Sequence, residues 1–251
     1  MKVAASPLYR QVASILRQAI YSGVYKPGDV LPTEAELQDK YGISRNTARN
    51  ALIMLLNEGL ITRTPRIGSV VRERRALLIH PQRELEPQPE GEIREAFATA
   101  VRTEGREFSQ DIMIETVGAD DEIAGRLELG DGEFAIVRRR LRYVDGQPYN
   151  INDSYYPRKI VQLSEIAEPG DIRRGANRVL QELGHRQVRV VDDIMGRMPT
   201  QREAELLQLD AGTCVLVFVR VGYDASDTPV RVAVSVFPAD KHLIRYELDL
   251  D

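Results

Sequence analysis

The chain has one cysteine in 251 residues, Cys214, and only three histidines. A single thiol excludes an internal disulfide and any thiolate-rich zinc site. Cys214 falls in an alternating apolar stretch and reads as a core strand residue. His80, His185 and His242 read as residues of a linker, a turn and a strand-end loop. None of them has a metal-ligand neighbour at useful spacing. There is no phosphate loop, dinucleotide fingerprint or nucleophile elbow, and the carboxylates are scattered. No catalytic residue, metal or cofactor is therefore expected. No apolar run reaches the ~18 residues that a membrane helix needs. The opening "MKVAASPLYRQVASILRQAI" is an arginine-punctuated helical pattern rather than a signal peptide. With 43% hydrophobic and 29% charged residues, the expectation is a globular cytoplasmic protein with no membrane partner.

Charge is present but unevenly placed. Residues 1–75 hold 12 Lys+Arg against 6 Asp+Glu, whereas the remaining residues hold 22 against 32. A basic first third on an acidic body points to a polyanionic partner for that third. Uneven surface charge without meaning is the alternative. Residues 73–92, "ERRALLIHPQRELEPQPEGE", carry three prolines and little apolar periodicity, so they read as a linker. Within them, Ala76–Ile79 is apolar enough to add a strand to either side. The expected division is 1–72, a linker at 73–92, and 93–251.

The first part reads as three helices and a hairpin. Ser6 is placed to cap a helix with Pro7 at its first position, and Leu8, Val12, Ile15, Leu16, Ala19 and Ile20 mark its apolar face to about Tyr21. Thr33 and Glu36 form a capping box opening a short helix to about Lys40. Ser44 caps a third helix through Asn57, and two short strands flank a turn at residues 64–68. On a wheel of 3.6 residues per turn, Ala48, Ala51, Leu52 and Leu55 share one arc. Arg45, Asn46, Arg49 and Asn50 share the opposite arc near the N-terminus. Cations are disfavoured at that end of a helix, and arginine and asparagine are the side chains best suited to guanine and adenine edges. The short helix, the "YGIS" turn and the third helix make a helix-turn-helix whose second helix enters a major groove. An arginine-bearing solvated helix face is the alternative. Arg63 and Arg66 flank the hairpin turn, within reach of phosphate or the minor groove.

Residues 7–71 resemble the winged-helix domain of GntR-type bacterial transcription regulators. The carriers are "PLYRQ", "GVYKPGDVLPTEAEL", "YGISRNTARNAL" and "LNEGL", in the family's order and spacing. The resemblance implies operator contacts by Arg45, Thr47 and Arg49 and binding as a homodimer to a palindrome, most often as a repressor. Ser44, Asn46, Arg66 and Gly68 complete the expected DNA-contacting set. Two features depart from the family. Ala35 stands where a basic residue is frequent. The wing reads "RIGSVV", with Arg66 at the usual first glycine and Ile67 at the usual basic position.

From about residue 93, strand-like runs at 108–117, 134–144, 148–156, 187–198, 213–223 and 229–237 alternate with short helical segments. "VDGQPY" and "DASDTPV" carry hairpin turn chemistry. The fold class expected is α+β in two domains, the second built on an antiparallel sheet. "RRRLRYVDGQPYNINDSYYP" and "DTPVRVAVSVFPADKH", among other stretches, resemble the UTRA effector domain of the HutC-type branch, which has a chorismate-lyase-like fold around a ligand cleft. Arg140 and Arg142 alternate, so both leave one strand face. Paired guanidiniums suit a phosphate or carboxylate. Arg138 shares their parity and Arg139 does not. On the next strand Asn152, Ser154 and Tyr156 share a face and complete the expected effector set. Sugar-phosphate sensors of the branch often have glutamates near Asn152 and at the position of Arg231, so an acidic or different small molecule is expected, or no effector at all. Three readings stand: an effector-responsive DNA-binding regulator, a DNA-binding protein whose sheet domain only dimerises or binds a protein, and a lyase-like enzyme fused to a DNA-binding module. An exposed, merely charged sheet face is the alternative for the arginines.

Overall fold

A computed structural model describes residues 7–72, 76–84, 96–118, 120–172 and 174–247. The chain divides into two units, Met1–Arg75 with Leu209–Thr213, and Ala76–Gln208 with Cys214–Asp251. Of the expected linker, residues 73–75 and 85–92 lie outside the described residues, as does Ser6.

The first unit holds helices α1 (Leu8–Tyr21), α2 (Glu34–Tyr41) and α3 (Arg45–Asn57) and the hairpin β1 (Ile61–Thr64) and β2 (Gly68–Val71). Pro7 sits at the N-cap of α1 rather than inside it. The buried stripe of α1 is Val12, Ala13 and Leu16, with Tyr9 and Ile20 packed beside it. At 100° per residue these five share one arc, and its centre lies on the Ala13 side of Val12. Leu8 and Ile15 fall on the opposite edge and are exposed, which corrects the expected face. The capping box of α2 forms as expected: Glu36 N donates to Thr33 Oγ1 at 3.3 Å and Thr33 N to Glu36 Oε2 at 2.7 Å. Gly42 then ends α2 with φ +61°, a left-handed conformation that glycine adopts without a side-chain clash. That turn lets Ser44 cap α3. Ala48, Ala51, Leu52 and Leu55 bury against α1 and α2 in one core with Leu37, Leu60 and Val71.

The second unit is a six-stranded antiparallel sheet in the order β4-β5-β6-β9-β8-β7. Its strands are β4 (Phe108–Val117), β5 (Ala135–Val144), β6 (Gln147–Pro157), β7 (Arg189–Arg197), β8 (Val215–Tyr223) and β9 (Pro229–Pro238). The β5–β6 turn has positive φ at both Asp145 and Gly146, as a two-residue hairpin with native twist requires. Helices α4 (Ala96–Thr103), α5 (Asp121–Arg126), α6 (Arg158–Val161), α7 (Ala176–Glu182) and α8 (Gln201–Leu206) surround the sheet.

The option left open at Ala76–Ile79 is taken: Leu77–Ile79 forms strand β3 and pairs in parallel with β10 (His242–Ile244). Other expectations need correcting. His242 is therefore in a strand, and it is buried against Tyr149 and Phe237 with ring centroids 4.9 Å from each. Cys214 precedes β8 and is exposed, not core. The short α6 was not anticipated.

Candidate functional site

The polar N-terminal face of α3 is open to solvent: Arg45, Asn46, Arg49 and Asn50 are all exposed. Ser44 Oγ accepts from Thr47 N at 3.2 Å and lies 2.8 Å from Thr47 Oγ1, so both hydroxyls serve the cap. Arg45 is 80% exposed and its Nε donates to Glu34 Oε2 at 3.1 Å. An exposed pair of this kind contributes little and leaves the guanidinium available to another anion. On the hairpin, Arg66 is exposed with φ +67°. Gly68 opens β2 with φ +112°.

In the sheet, antiparallel register aligns Arg138 with Ser154, Arg140 with Asn152 and Arg142 with Asn150. It then aligns Asn152 with Ser235 and Ser235 with Phe218. These residues leave one face, and that face is covered. Arg138, Arg140 and Arg142 are 1%, 8% and 4% exposed, which overturns the exposed-face alternative. Arg139 points to the other face, with its Nε 2.7 Å from Glu115 Oε2 and a second bond to Asp153. A buried guanidinium is costly unless its N–H groups are bonded. Arg140 donates to Asn152 Oδ1 at 2.6 Å and Ser154 Oγ at 3.3 Å. Arg142 donates to Asn150 Oδ1 at 2.9 Å and Asn152 Oδ1 at 3.1 Å. Asn152 passes the chain on, donating to Ser235 Oγ at 2.7 Å. These asparagine and serine acceptors hold the two guanidiniums in place on the sheet face.

This polar stripe lies between two apolar clusters. One contains Phe97, Val144, Tyr149, Phe218 and Phe237. The other contains Ile136, Tyr156, Val161, Ile166 and Leu180. Arg138 belongs to the second end and has a structural task. It donates to the carbonyls of Ile166, Glu168 and Gly170 at 3.1, 2.8 and 2.6 Å, pinning the loop after α6. Tyr156 is fully buried in the same cluster, and its hydroxyl has no hydrogen-bond partner among the described residues.

A cavity of about 40 Å³ opens on the stripe, lined in part by Arg142, Asn152, Arg220, Arg231, Ser235 and Glu84. Of the five residues expected at the effector site, Arg142 and Asn152 line it. Arg140 and Ser154 stand behind them through the hydrogen bonds above, and Tyr156 is not part of the lining. A shallower depression of about 190 Å³ lies elsewhere, beside Glu133, Phe134 and Lys159. Glu133 and Lys159 pair with each other there, and no guanidinium cluster converges on it. Glu84, Arg220 and Ser235 were missed by sequence reasoning. The available signal was one arginine inside each otherwise apolar strand, "VLVFVRVGY" and "PVRVAVSV". Arg220 is 3% exposed and bonded to Asp192 at 2.7 and 2.8 Å. Burial opposes its charge, but Asp192 and Glu84 outweigh that and raise its pKa above the ordinary guanidinium value.

Residues 8–71 match the gntR family of bacterial regulatory proteins, and residues 108–242 match the UTRA domain. The chain belongs to the GntR family and carries its UTRA domain. It is a DNA-binding transcriptional regulator, and α3 is the second helix of its helix-turn-helix. Relatives align along nearly the whole chain. An HTH-type transcriptional regulator of Rhizobium meliloti is 29% identical, covering 96% of this chain and 94% of the relative. The regulator GgaR of Escherichia coli is 25% identical, covering 95% and 90%. The mannosyl-D-glycerate transport/metabolism system repressor MngR of Escherichia coli is 26% identical, covering 86% and 85%. The crystal structure of PhnF from Mycobacterium smegmatis shares the fold, with a TM-score of 0.59, 23% identity and coverage of 96% and 100%. The GntR-family chain has no group of His, Cys, Asp or Glu among its described residues that could hold a metal ion. None of its described helices is long and apolar enough to cross a membrane.

Proposed function

We propose that this regulator is a repressor that binds a palindromic operator as a homodimer and changes its hold on DNA when a small anion enters the UTRA unit. The observation that carries the reading is the pair Arg140 and Arg142, both buried on one sheet face beside a cavity and fixed there by Asn152 and Asn150. A sheet kept only for packing is served at lower cost by apolar side chains. Converging guanidiniums suit a phosphate, phosphonate or carboxylate. In this reading residues 1–72 bind DNA, with Ser44, Arg45, Asn46, Thr47, Arg49, Arg66 and Gly68 at the interface. Residues 73–92 connect them to the sensing part over 93–251, and the stretch 76–84 is already built into the sensing unit. The repressor sense is supported by the likeness to the repressor MngR. Regulation requires that the anion bind two arrangements of the dimer with different affinity.

The test has two arms. Selection from a randomised DNA pool should return a palindrome, and the protein's mass in solution should be that of two chains. A thermal-shift screen against anionic metabolites should give stabilised hits that vanish in Arg140→Ala, with circular dichroism showing that the variant is folded. Hits of equal size in both proteins would move the site elsewhere.

A further inference from the structure

The large sheet ends in two edge strands, β4 and β7. β7 pairs with β8 without a break over Arg189–Arg197, and its other edge has no strand partner among the described residues. A free edge presents a row of unpaired backbone groups, which proteins blunt with proline, lysine, bulges or short strands. β7 is nine residues long and contains neither proline nor lysine. It carries exposed apolar side chains instead, with Val191 at 40% and Ile194 at 47%. Val188 is 59% exposed and extends the ladder by donating its N–H to the Tyr223 carbonyl at 2.9 Å. The inward carboxylate of Asp192 is no barrier, because Arg220 binds it at 2.7 and 2.8 Å and Tyr246 donates to it.

Charge decides the partner. A strand that meets its own copy about a two-fold axis normal to the sheet pairs antiparallel, with residues of equal parity opposite each other. An axis at Asp193 sets Arg189 against Arg197 and Asp193 against itself. An axis at Val191 sets Arg189 against Asp193 on both sides of the two-fold, Val191 against Val191, and Val188 against Ile194. That register pairs opposite charges and covers the exposed apolar residues together. An axis at Met195 also pairs opposite charges, Asp193 with Arg197, but it leaves Val188 uncovered. Arg197 is moreover held by both carboxylate oxygens of Glu203 at 2.7 Å. Arg189 and Asp193 sit in solvent-accessible ion pairs with Asp227 and Arg126, which contribute little and yield to a new partner. β4 fails the same test: its charged residues are Asp111 and Glu115, so no self-pairing gives it an opposite-charge pair.

Resting on the homodimer proposed above, we propose that the two sensing units join through β7, antiparallel about Val191, so that their sheets run on into one. The second copy supplies the strand that the free edge lacks, as in other strand-addition interfaces.

The experiment is sedimentation of the full-length protein over a range of concentrations. The unmodified protein should associate as two chains. Arg189→Asp sets two carboxylates against each other in each cross-strand pair, and Asp193→Arg sets two guanidiniums. Either variant alone should raise the dimer dissociation constant about tenfold or more. An equimolar mixture of the two should recover the unmodified value, because the mixed dimer has opposite charges in both pairs again. The mixture contains the same chains, so a folding defect in either variant would not be mended by mixing. Unchanged association of either variant, or a mixture no tighter than its components, would overturn the β7 interface and leave the homodimer standing. A monomeric unmodified protein would instead overturn the homodimer on which this inference rests.

Discussion

Arg66 holds φ +67° at the tip of the hairpin, a conformation that costs a residue with a long side chain about 1–3 kcal/mol. Glycine is the ordinary occupant of such a position, and the resembling wings have one there. Retaining arginine at that cost is explained if its charge is used. Arg66→Gly is expected to gain about 0.5 kcal/mol of stability, because relief of strain exceeds the entropy of the added glycine. It should also weaken DNA binding and reduce the salt slope by about one, as the loss of one phosphate contact does. A denaturant midpoint and a salt titration check the two halves. Arg49 makes a different prediction. Arg49→Ala should cost about 1–3 kcal/mol on the preferred operator and flatten discrimination between sequences. Competition binding with altered half-sites measures it. At this scale, parity alone exposed Arg140 and Arg142, since alternate residues of one strand must share a face. Arg220 stayed hidden because parity within a strand does not say which strands become neighbours.

The elements were readable where two independent local signals agreed. Thr33 with Glu36 forms the expected capping box, placing the start of α2. Alternation between turn residues placed all six strands of the large sheet to within about three residues, within the usual uncertainty of element ends. Elements with neither signal were left open or missed: β3 stood only as an option at Ala76–Ile79, and β10 was read as a loop. They are three residues each and pair in parallel, a pairing that no local pattern encodes. Cys214 was misplaced for a related reason: β8 starts two residues later than the expected run, and the thiol falls in the exposed approach to it. The cap of α3 gives a direct stability prediction. Ser44→Ala should cost about 1 kcal/mol, because Thr47 N loses its acceptor. Thermal unfolding reads that loss, and Ser44→Asp should restore most of it.

For the whole molecule, His242 links the sensing unit to pH. Burial pushes its pKa down to about 4, helped by nearby Lys241 and Arg106 against the opposing Pro238 carbonyl and Asp240. Its Nδ1 lies 3.0 Å from that carbonyl, and Nε2 is buried with no partner among the described residues, as suits a neutral ring. An unfolded histidine takes up its proton near pH 6.5. Between pH 6.5 and about 4 the unfolded chain therefore binds a proton that the folded chain refuses. This contribution is complete above that window and falls by about 1.4 kcal/mol per pH unit as pH drops through it. Urea midpoints from pH 7 to 4.5 should show the slope, and His242→Asn should flatten it. The central claim concerns the arginine face instead: a small anion bound there changes the hold on DNA. Its most direct measurement is fluorescence anisotropy of a selected operator, titrated with anionic metabolites in the unmodified protein and in Arg140→Ala. The account predicts at least one anion that shifts DNA affinity in the former and leaves it unmoved in the latter. An anion that shifts both proteins equally would contradict it.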